Sequence, residues 1–371
     1  MLDSIIANIP TILSYLGGAA VLSAPLGVLP RAGPGRALML ALNSLIAKAP
    51  LPESARTLDV AVLKKTLTSL SPQRYVVVQG PKGVGKSCVI ASALQRTCGV
   101  VTTQVPPGES QKDIVRSVMV EIAGIRPRFL EPRPSALRVL WWYSLLLPPP
   151  IVVLRIGERP AGAPYAQAAG AVRELAGYGL RPIIDSSPNS LEPEALSTLR
   201  ESVMTLPPMP RQLLFSIPEY ATLTAVLREE SLESAAWAVL GGVPALYTAL
   251  QDNLKNAAPG GGRKVVGGFL LAQVQDAITR CLELRPHPSL LPILARFREV
   301  NEVPAVDLKD VVLPTPNKVL RKARSGAVHV PADAAIALVL RHSLVVLPGS
   351  LEELLKLLET PCGGRGSVSS G

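Results

Sequence analysis

The chain has few residues of the kinds that build metal sites and disulfide frameworks. Its 371 residues include only four cysteines and three histidines, and none of them has the spacing of a zinc site. This scarcity argues against a zinc protein and a disulfide-stapled secreted domain, and it predicts a reducing, intracellular compartment. Cys88 is interpreted as a small buried packing residue rather than a nucleophile.

Aromatic residues are also scarce, at 4% of the chain, and no block of basic residues has aromatics between them. The formal charge of +10 comes from 38 Lys and Arg against 28 Asp and Glu. The excess of positive charge is consistent with solubility and with neutralising the negative charge of a polyphosphate ligand. A nucleic-acid surface is therefore disfavoured but stays open. The hydrophobic content of 48% argues against global disorder and allows a sizeable core.

The N-terminal part lacks charge altogether from Ser4 to Pro30. Three prolines interrupt it, and the longest proline-free stretch, Thr11–Ala24, is shorter than the roughly 20 residues of a spanning helix. Asp3 precedes the apolar part, which fits a secretory signal poorly. Three interpretations remain: a kinked membrane segment, a hydrophobic docking arm, or a hairpin of buried helices. If the segment inserts, Arg31 and Arg36 favour leaving the rest of the chain on the cytoplasmic side.

The most informative motif is Gly80-Pro-Lys-Gly-Val-Gly-Lys-Ser87, which fits the P-loop pattern G-x-x-x-x-G-K-[ST]. An apolar, strand-like run, Tyr75–Gln79, leads into it, and a helical run, Ser87–Leu94, leads out. A strand before and a helix after are the context that the motif requires. The pattern therefore predicts a nucleotide-phosphate site rather than an ordinary glycine-rich turn.

The residue types of this loop are suited to binding phosphate and Mg²⁺. Its glycines let the backbone curl so that several N–H groups point at one anion, and the following helix adds the positive end of its dipole. Lys86 supplies a charge for the β- and γ-phosphates, and the Ser87 hydroxyl is suited to Mg²⁺. The predicted binding set is Gly80, Pro81, Lys82, Gly83, Val84, Gly85, Lys86, Ser87 and Cys88.

Strand-like and helical patterns alternate from the loop onward. The predicted strands are Tyr75–Gln79, Val100–Val105, Ile151–Ile156, Leu180–Asp185 and Gln212–Ile217. Such alternation predicts an α/β fold, a three-layer sandwich of the P-loop type with a parallel sheet. Helical patterns alone follow Pro218, up to residue 258.

The pattern divides the chain into five parts. They are a hydrophobic or membrane-associated N-terminal arm (1–50), the P-loop α/β domain (51–217), a helical region (218–258), a mostly helical C-terminal domain (264–361) and a disordered tail (362–371). The boundary after residue 258 rests on Pro259-Gly-Gly-Gly-Arg263, which is typical of a flexible linker.

A P-loop hydrolase needs carboxylates beside the loop to hold Mg²⁺ and to position the attacking water. The third strand ends at Gly157-Glu158, so Glu158 is a candidate, although Gly157 stands where a paired Asp is expected. A solvated loop position for Glu158 is the alternative. After the fourth strand, Asp185 and Asn189 are candidates, and ordinary turn chemistry is the alternative for them. Candidates for an additional positive charge are Arg200, Arg211 and Arg228.

Together these motifs resemble the AAA+/STAND branch of P-loop ATPases, and in particular the archaeal-type ATPase domain related to origin-recognition ATPases. Arg56-Thr-Leu-Asp59 resembles a degenerate Arg-x-x-Glu box near the adenine, and Gly241-Gly-Val-Pro244 resembles the Gly-Gly-x-Pro signature of the lid. The resemblance covers residues 56 to 254. It implies ATP with Mg²⁺ and a helical lid (218–258) that closes on the nucleotide. By analogy with the same proteins, the C-terminal domain (264–361) is expected to be helical or winged-helix-like, with assembly or partner binding through the lid and this domain.

Three functions are compatible with these residues. The favoured one is an ATP hydrolase that acts as a conformational switch. The second is a non-hydrolysing nucleotide-binding scaffold, which Gly157 in place of the acidic residue supports. The third, a small-molecule kinase, is disfavoured because the region from Ile217 to Leu254 has a single arginine, whereas such enzymes carry an arginine-rich lid. Membrane contact through residues 4–30 is compatible with all three.

Overall fold

The computed structural model describes the chain from residue 34 to residue 360 with gaps. The described residues are 34–46, 56–69, 75–95, 97–106, 109–124, 132–145, 147–156, 166–186, 203–256, 260–283, 291–297, 300, 302–304, 319–322 and 328–360.

The centre of the molecule is a five-stranded sheet. Its strands are β1 (Val76–Gln79), β2 (Val100–Val105), β3 (Ile151–Ile156), β4 (Arg181–Ser186) and β5 (Val203–Thr205). They lie in the order β2-β3-β4-β1-β5, and every pairing is parallel. The strands β1, β3 and β4 are almost entirely buried, as expected for a parallel sheet covered on both faces. The predicted α/β fold with a parallel sheet is therefore confirmed.

Helices cover both faces of this sheet. They are α1 (Pro34–Ile46), α2 (Thr57–Ser69), α3 (Lys86–Ala93), α4 (Gln111–Ala123), α5 (Pro132–Ser144) and α6 (Ala166–Gly177). Because side chains alternate along a strand, Val76 and Val78 face α2 and α3, whereas Val77 faces the layer formed by α1, α4, α5 and α6. The result is a core on each side of the sheet.

The remainder is mostly helical. The helices are α7 (Arg211–Phe215), α8 (Ala221–Glu229), α9 (Glu233–Leu240), α10 (Pro244–Lys255), α11 (Gly262–Glu283), α12 (Leu291–Arg296), α13 (Ala334–His342) and α14 (Leu351–Glu359). Three short strands, β6 (Val303–Pro304), β7 (Leu320–Lys322) and β8 (Val328–Pro331), form an antiparallel sheet in the order β6-β8-β7.

One hydrophobic cluster runs through this mostly helical part. Leu240 of α9, Leu250 of α10, Leu270 of α11 and Ile336 of α13 all belong to it. Side chains from both sides of the Pro259–Arg263 stretch thus share a core. The division into a lid and a C-terminal domain, and the winged-helix comparison, stay predictions.

The structure corrects two predictions about local structure. The fifth strand is Val203–Thr205, and the segment expected to form it is the helix α7. A short apolar run such as Leu213–Phe215 has no periodicity that separates strand from helix. The sequence pattern also predicts a helix over Glu192–Val203. This stretch lies outside the described residues except for Val203, which is in β5.

The second correction concerns α2. The sequence pattern predicts an amphipathic helix over Thr57–Leu70 with Leu58, Val62 and Leu70 on one face. In the structure the buried residues are Leu63 and Leu67, whereas Leu58 and Val62 are 81% and 54% exposed. Both pairs have the same spacing of four residues, so periodicity alone does not choose between them. The packing of α2 against α3 determines which of the two pairs is buried.

Candidate functional site

The glycine-rich loop joins β1 to α3 at the carboxyl edge of the sheet. Gly83 (φ 78°) and Gly85 (φ 100°) both have the left-handed backbone that L side chains rarely adopt. Gly85 directly precedes Lys86, the first residue of α3. The N–H groups in the first turn of α3 have no acceptor within the helix, and N–H groups in this position favour an anion. A parallel sheet whose first strand leads into such a loop fits a P-loop fold.

Lys86 lies over this loop. Its Nζ donates to the carbonyl oxygens of Gly80 at 2.8 Å and of Pro81 at 3.1 Å. These bonds hold a partly buried ammonium group beside the loop that the sequence assigns to phosphate. A point charge in this position favours a polyanionic ligand.

A hydrogen bond connects Ser87, on α3, to Asp185, on β4. The Ser87 Oγ donates to the Asp185 Oδ2 at 3.0 Å. Asp185 is opposite Val78 in the pairing of β4 with β1, which brings its carboxylate to the strand that enters the loop. Asp185 is buried, whereas Ser87 is exposed. Of the predicted acidic candidates, Asp185 is therefore beside the loop.

These two side chains supply oxygen atoms of the kind that hard cations prefer. Within the described parts of the chain, no group of three or more His, Cys, Asp and Glu side chains could by itself hold a metal ion. A cation on Ser87 and Asp185 would therefore need further oxygens from a phosphate or from water.

Two further candidates, Glu158 and Asn189, lie outside the described residues, and so does Gly157. The order of the strands still bears on Glu158. The strand β3, which ends at Ile156, is separated from β1 by β4. The end of β4 is thus one strand nearer to the loop than the end of β3.

The Gly241–Pro244 stretch contacts the loop directly. The Ala245 N–H donates to the carbonyl oxygen of Gly83 at 3.2 Å. A Cβ at Gly83 would lie 2.8 Å from the Ala245 Cβ and 3.0 Å from the Val243 Cγ1. The Met209 N–H in turn donates to the Gly242 carbonyl oxygen at 2.7 Å. The predicted lid signature and the loop are therefore packed against each other.

Arg56 connects the segment before β1 to the same region. It is buried, and its Nη1 forms an ion pair with the Asp59 Oδ2 at 3.0 Å. Its Nη2 donates to the Pro207 carbonyl oxygen at 2.6 Å. A Cβ at Gly85 would have the Arg56 Nε as its nearest neighbour, at 4.0 Å. The Arg-x-x-Asp stretch thus lies beside the glycine-rich loop.

Two of the three candidate arginines share one carboxylate. Arg211 Nη2 and Arg228 Nε donate to Glu233 at 2.9 Å and 3.1 Å. The hydrogen bond from Arg211 is the main cause that lowers the pKa of Glu233, and Arg228 adds to it. Both arginines are thus engaged within the helical part, and Arg200 lies outside the described residues.

The structure also shows features that the sequence interpretation missed. Cys88, expected to be buried, is exposed just after Ser87, because it lies on the open side of the first turn of α3. Gln79 and Ser186 are opposite each other at the ends of β1 and β4 and are buried. Among the described residues, the Gln79 Nε2 and Ser186 Oγ have no hydrogen-bond partner. The sequence signal that could have identified these two residues is a polar residue at the end of an otherwise apolar strand.

No helix in the described ranges is both long and apolar enough to cross a bilayer. The predictions of membrane contact through residues 4–30 and of a disordered tail at 362–371 fall outside those ranges.

No family model and no curated protein matches the chain. Among solved structures, the chain is similar to one described as Drosophila ORC bound to DNA. The identity is 12%, the match covers 87% of this chain and 92% of that chain, and the TM-score is 0.33. The case for a nucleotide site therefore rests on the loop and its surroundings.

Proposed function

We propose that the protein binds ATP with Mg²⁺ at the Gly80–Ser87 loop and acts as a conformational switch of the AAA+/STAND kind. The observation that carries this proposal is the meeting of three groups at one sheet edge: the Lys86 ammonium over the loop, the Ser87 hydroxyl, and the buried Asp185 carboxylate bonded to that hydroxyl.

Each group has a defined task in this proposal. The loop amides and the start of α3 hold the β-phosphate, and Lys86 moves from the loop carbonyls to the β- and γ-phosphates. Ser87 and Asp185 provide oxygens for Mg²⁺, which neutralises charge on the phosphates when bound. Asp185, with Glu158 and Asn189 as further candidates, orients the attacking water.

The contact between Gly83 and Ala245 supports a switch. A phosphate that reshapes the loop acts on the start of α10, because the loop carbonyl and the Ala245 amide are hydrogen-bonded. Helix α10 shares its core with α11 and α13, so its displacement would reach the C-terminal part. Partner binding or self-assembly through this part belongs to the proposal.

Phosphate release from Mg·ATP by the full chain tests the hydrolytic part. We expect slow turnover that Asp185→Asn and Glu158→Gln both lower, with ATP affinity kept in Glu158→Gln. Lys65→Ala is the matched control for Lys86→Ala, because Lys65 is exposed on α2. Turnover that persists in Lys86→Ala would contradict the assignment of the site.

A non-hydrolysing scaffold is the second candidate, favoured by Gly157 at the sequence position where a paired Asp is expected. It predicts tight ATP binding with phosphate release no higher than that of Lys86→Ala. Turnover well above that background, removed by Asp185→Asn, would exclude the scaffold.

A further inference from the structure

One side of helix α5 exposes a row of apolar side chains. Leu137, Trp141 and Leu145 follow at intervals of four residues, so they lie along one side of the helix and of the turn after it. They are 38%, 57% and 55% exposed. The other side of the helix is buried and consists of Ala136, Val139, Leu140 and Tyr143.

Such a row is unusual for a free surface. Single exposed apolar residues are common, but a contiguous set that includes a tryptophan marks an interaction site. Helix α1, which packs against α5, carries another exposed apolar side chain, Met39, at 62%. The surface formed by Leu137, Trp141 and Leu145 is called the α5 row below.

We propose that the uncharged segment Ser4–Pro30 of the same chain covers the α5 row. The segment ends four residues before Pro34, where α1 begins. Arg36 attaches the start of α1 to the end of α4, because its Nη2 donates to the Glu121 carbonyl oxygen at 2.6 Å and its Nε to the Ile122 carbonyl oxygen at 3.2 Å. The segment therefore enters the folded protein on a helix that already packs against α5.

The lengths are compatible. Four extended residues reach about 14 Å from the start of α1. The row from Leu137 to Leu145 extends about 12 Å along the helix axis. Even in the compact form of a helix, Thr11–Ala24 would span about 21 Å. The segment is thus long enough to cover the whole row from its point of attachment.

The chemistry of the two surfaces also matches. The segment has no charged residue, so its contact with an apolar row buries no unpaired ion. Arg133 and Arg138 beside the row are exposed and keep their charges in water. A tether of this length gives an effective concentration of about millimolar, which favours the segment over a partner that must diffuse to the row.

Photo-crosslinking in the full chain tests the proposal. The photoreactive residue p-benzoylphenylalanine replaces Trp141, and the adducts are mapped by mass spectrometry. Leu58 is the matched control position, because it is 81% exposed but lies on α2, on the other face of the sheet. We expect adducts with residues 4–30 from position 141 and not from position 58.

The substitutions Leu16→Glu and Leu22→Glu together should lower the adduct yield about tenfold, because they introduce charges into an apolar contact. Placing the photoreactive residue at Leu145 repeats the test without altering Trp141. Isotope-labelled and unlabelled chains are mixed to separate contacts within a chain from contacts between chains.

Adducts between chains would replace the proposal with docking of a second copy. Vesicles of phosphatidylcholine and phosphatidylglycerol form a further arm of the test. Adducts that form with lipid, in place of the segment, would overturn the proposal in favour of a membrane surface. The absence of any adduct from positions 141 and 145 would also overturn it.

Discussion

Replacing Gly83 by alanine adds a single carbon atom, the Cβ, where the glycine-rich loop contacts the helical part of the protein. The backbone of Gly83 has a φ of 78°, which costs an alanine about 1–2 kcal/mol. The new Cβ would also lie 2.8 Å from the Ala245 Cβ and 3.0 Å from the Val243 Cγ1. Overpacking of this kind adds about 1–3 kcal/mol. The free energy of unfolding should therefore fall by about 2–5 kcal/mol.

Gly179 provides the matched control. Its φ is 79°, but an added Cβ there would have no neighbour within 4 Å in the described part of the chain. Gly179→Ala should therefore show the backbone cost alone, about 1–2 kcal/mol. Both substitutions restrict the unfolded chain equally, so that effect cancels in the comparison. The difference between the two variants isolates the contact with Ala245 and Val243.

Urea unfolding followed by circular dichroism measures both variants, and ATP titration measures the loop. Adding Ala245→Gly to the Gly83→Ala variant removes the closer of the two Cβ contacts, so the double variant should be more stable than Gly83→Ala combined with the separate effect of Ala245→Gly on the wild type. Equal midpoints for Gly83→Ala and Gly179→Ala, with no coupling to Ala245→Gly, would refute this account of the contact.

Three further predictions concern single side chains. Arg56→Ala should destabilise the chain by about 2–4 kcal/mol, measured by urea unfolding, because it leaves the Asp59 carboxylate without this guanidinium. Because the pKa of Glu233 is lowered in the folded chain, Glu233 stabilises the fold fully when the pH is above its ordinary pKa of 4.5. This stabilisation is lost as the pH falls through the lowered pKa. Glu233→Gln should therefore weaken the acid dependence of the unfolding midpoint. At pH 8, maleimide should label the exposed Cys88, but not Cys281, whose pKa burial raises to about 12, until the chain unfolds. The reverse pattern of labelling would contradict the packing of α11.

The sequence predicted the sheet well where the strands are apolar and the turns are clear. The bounds of β2 and β3 agree with the prediction, and β4 differs by one residue at each end. The fifth strand was missed because Val203–Thr205 is only three residues long and follows a stretch with a helical pattern. A strand of this length is specified mainly by its pairing with β1, which a local pattern does not contain.

The candidate site was predictable in its loop and only partly in its surroundings. The motif identifies Lys86 and Ser87 directly, because spacing and flanking elements are local properties. Asp185 was one of several acidic candidates, and the pairing of β1 with β4 singles it out among the described residues. The hydrogen bond from Arg56 to Pro207 spans 151 positions of the chain, which no local pattern indicates.

The most direct test of the central claim is a calorimetric titration of the full chain with ATP and Mg²⁺. We expect saturable binding at one site, an affinity about 10- to 100-fold lower in Lys86→Ala through the loss of a charge-assisted contact, and no change in Lys65→Ala. If the wild-type chain does not bind ATP, or if Lys86→Ala binds it as tightly as the wild type, the glycine-rich loop is not a nucleotide site.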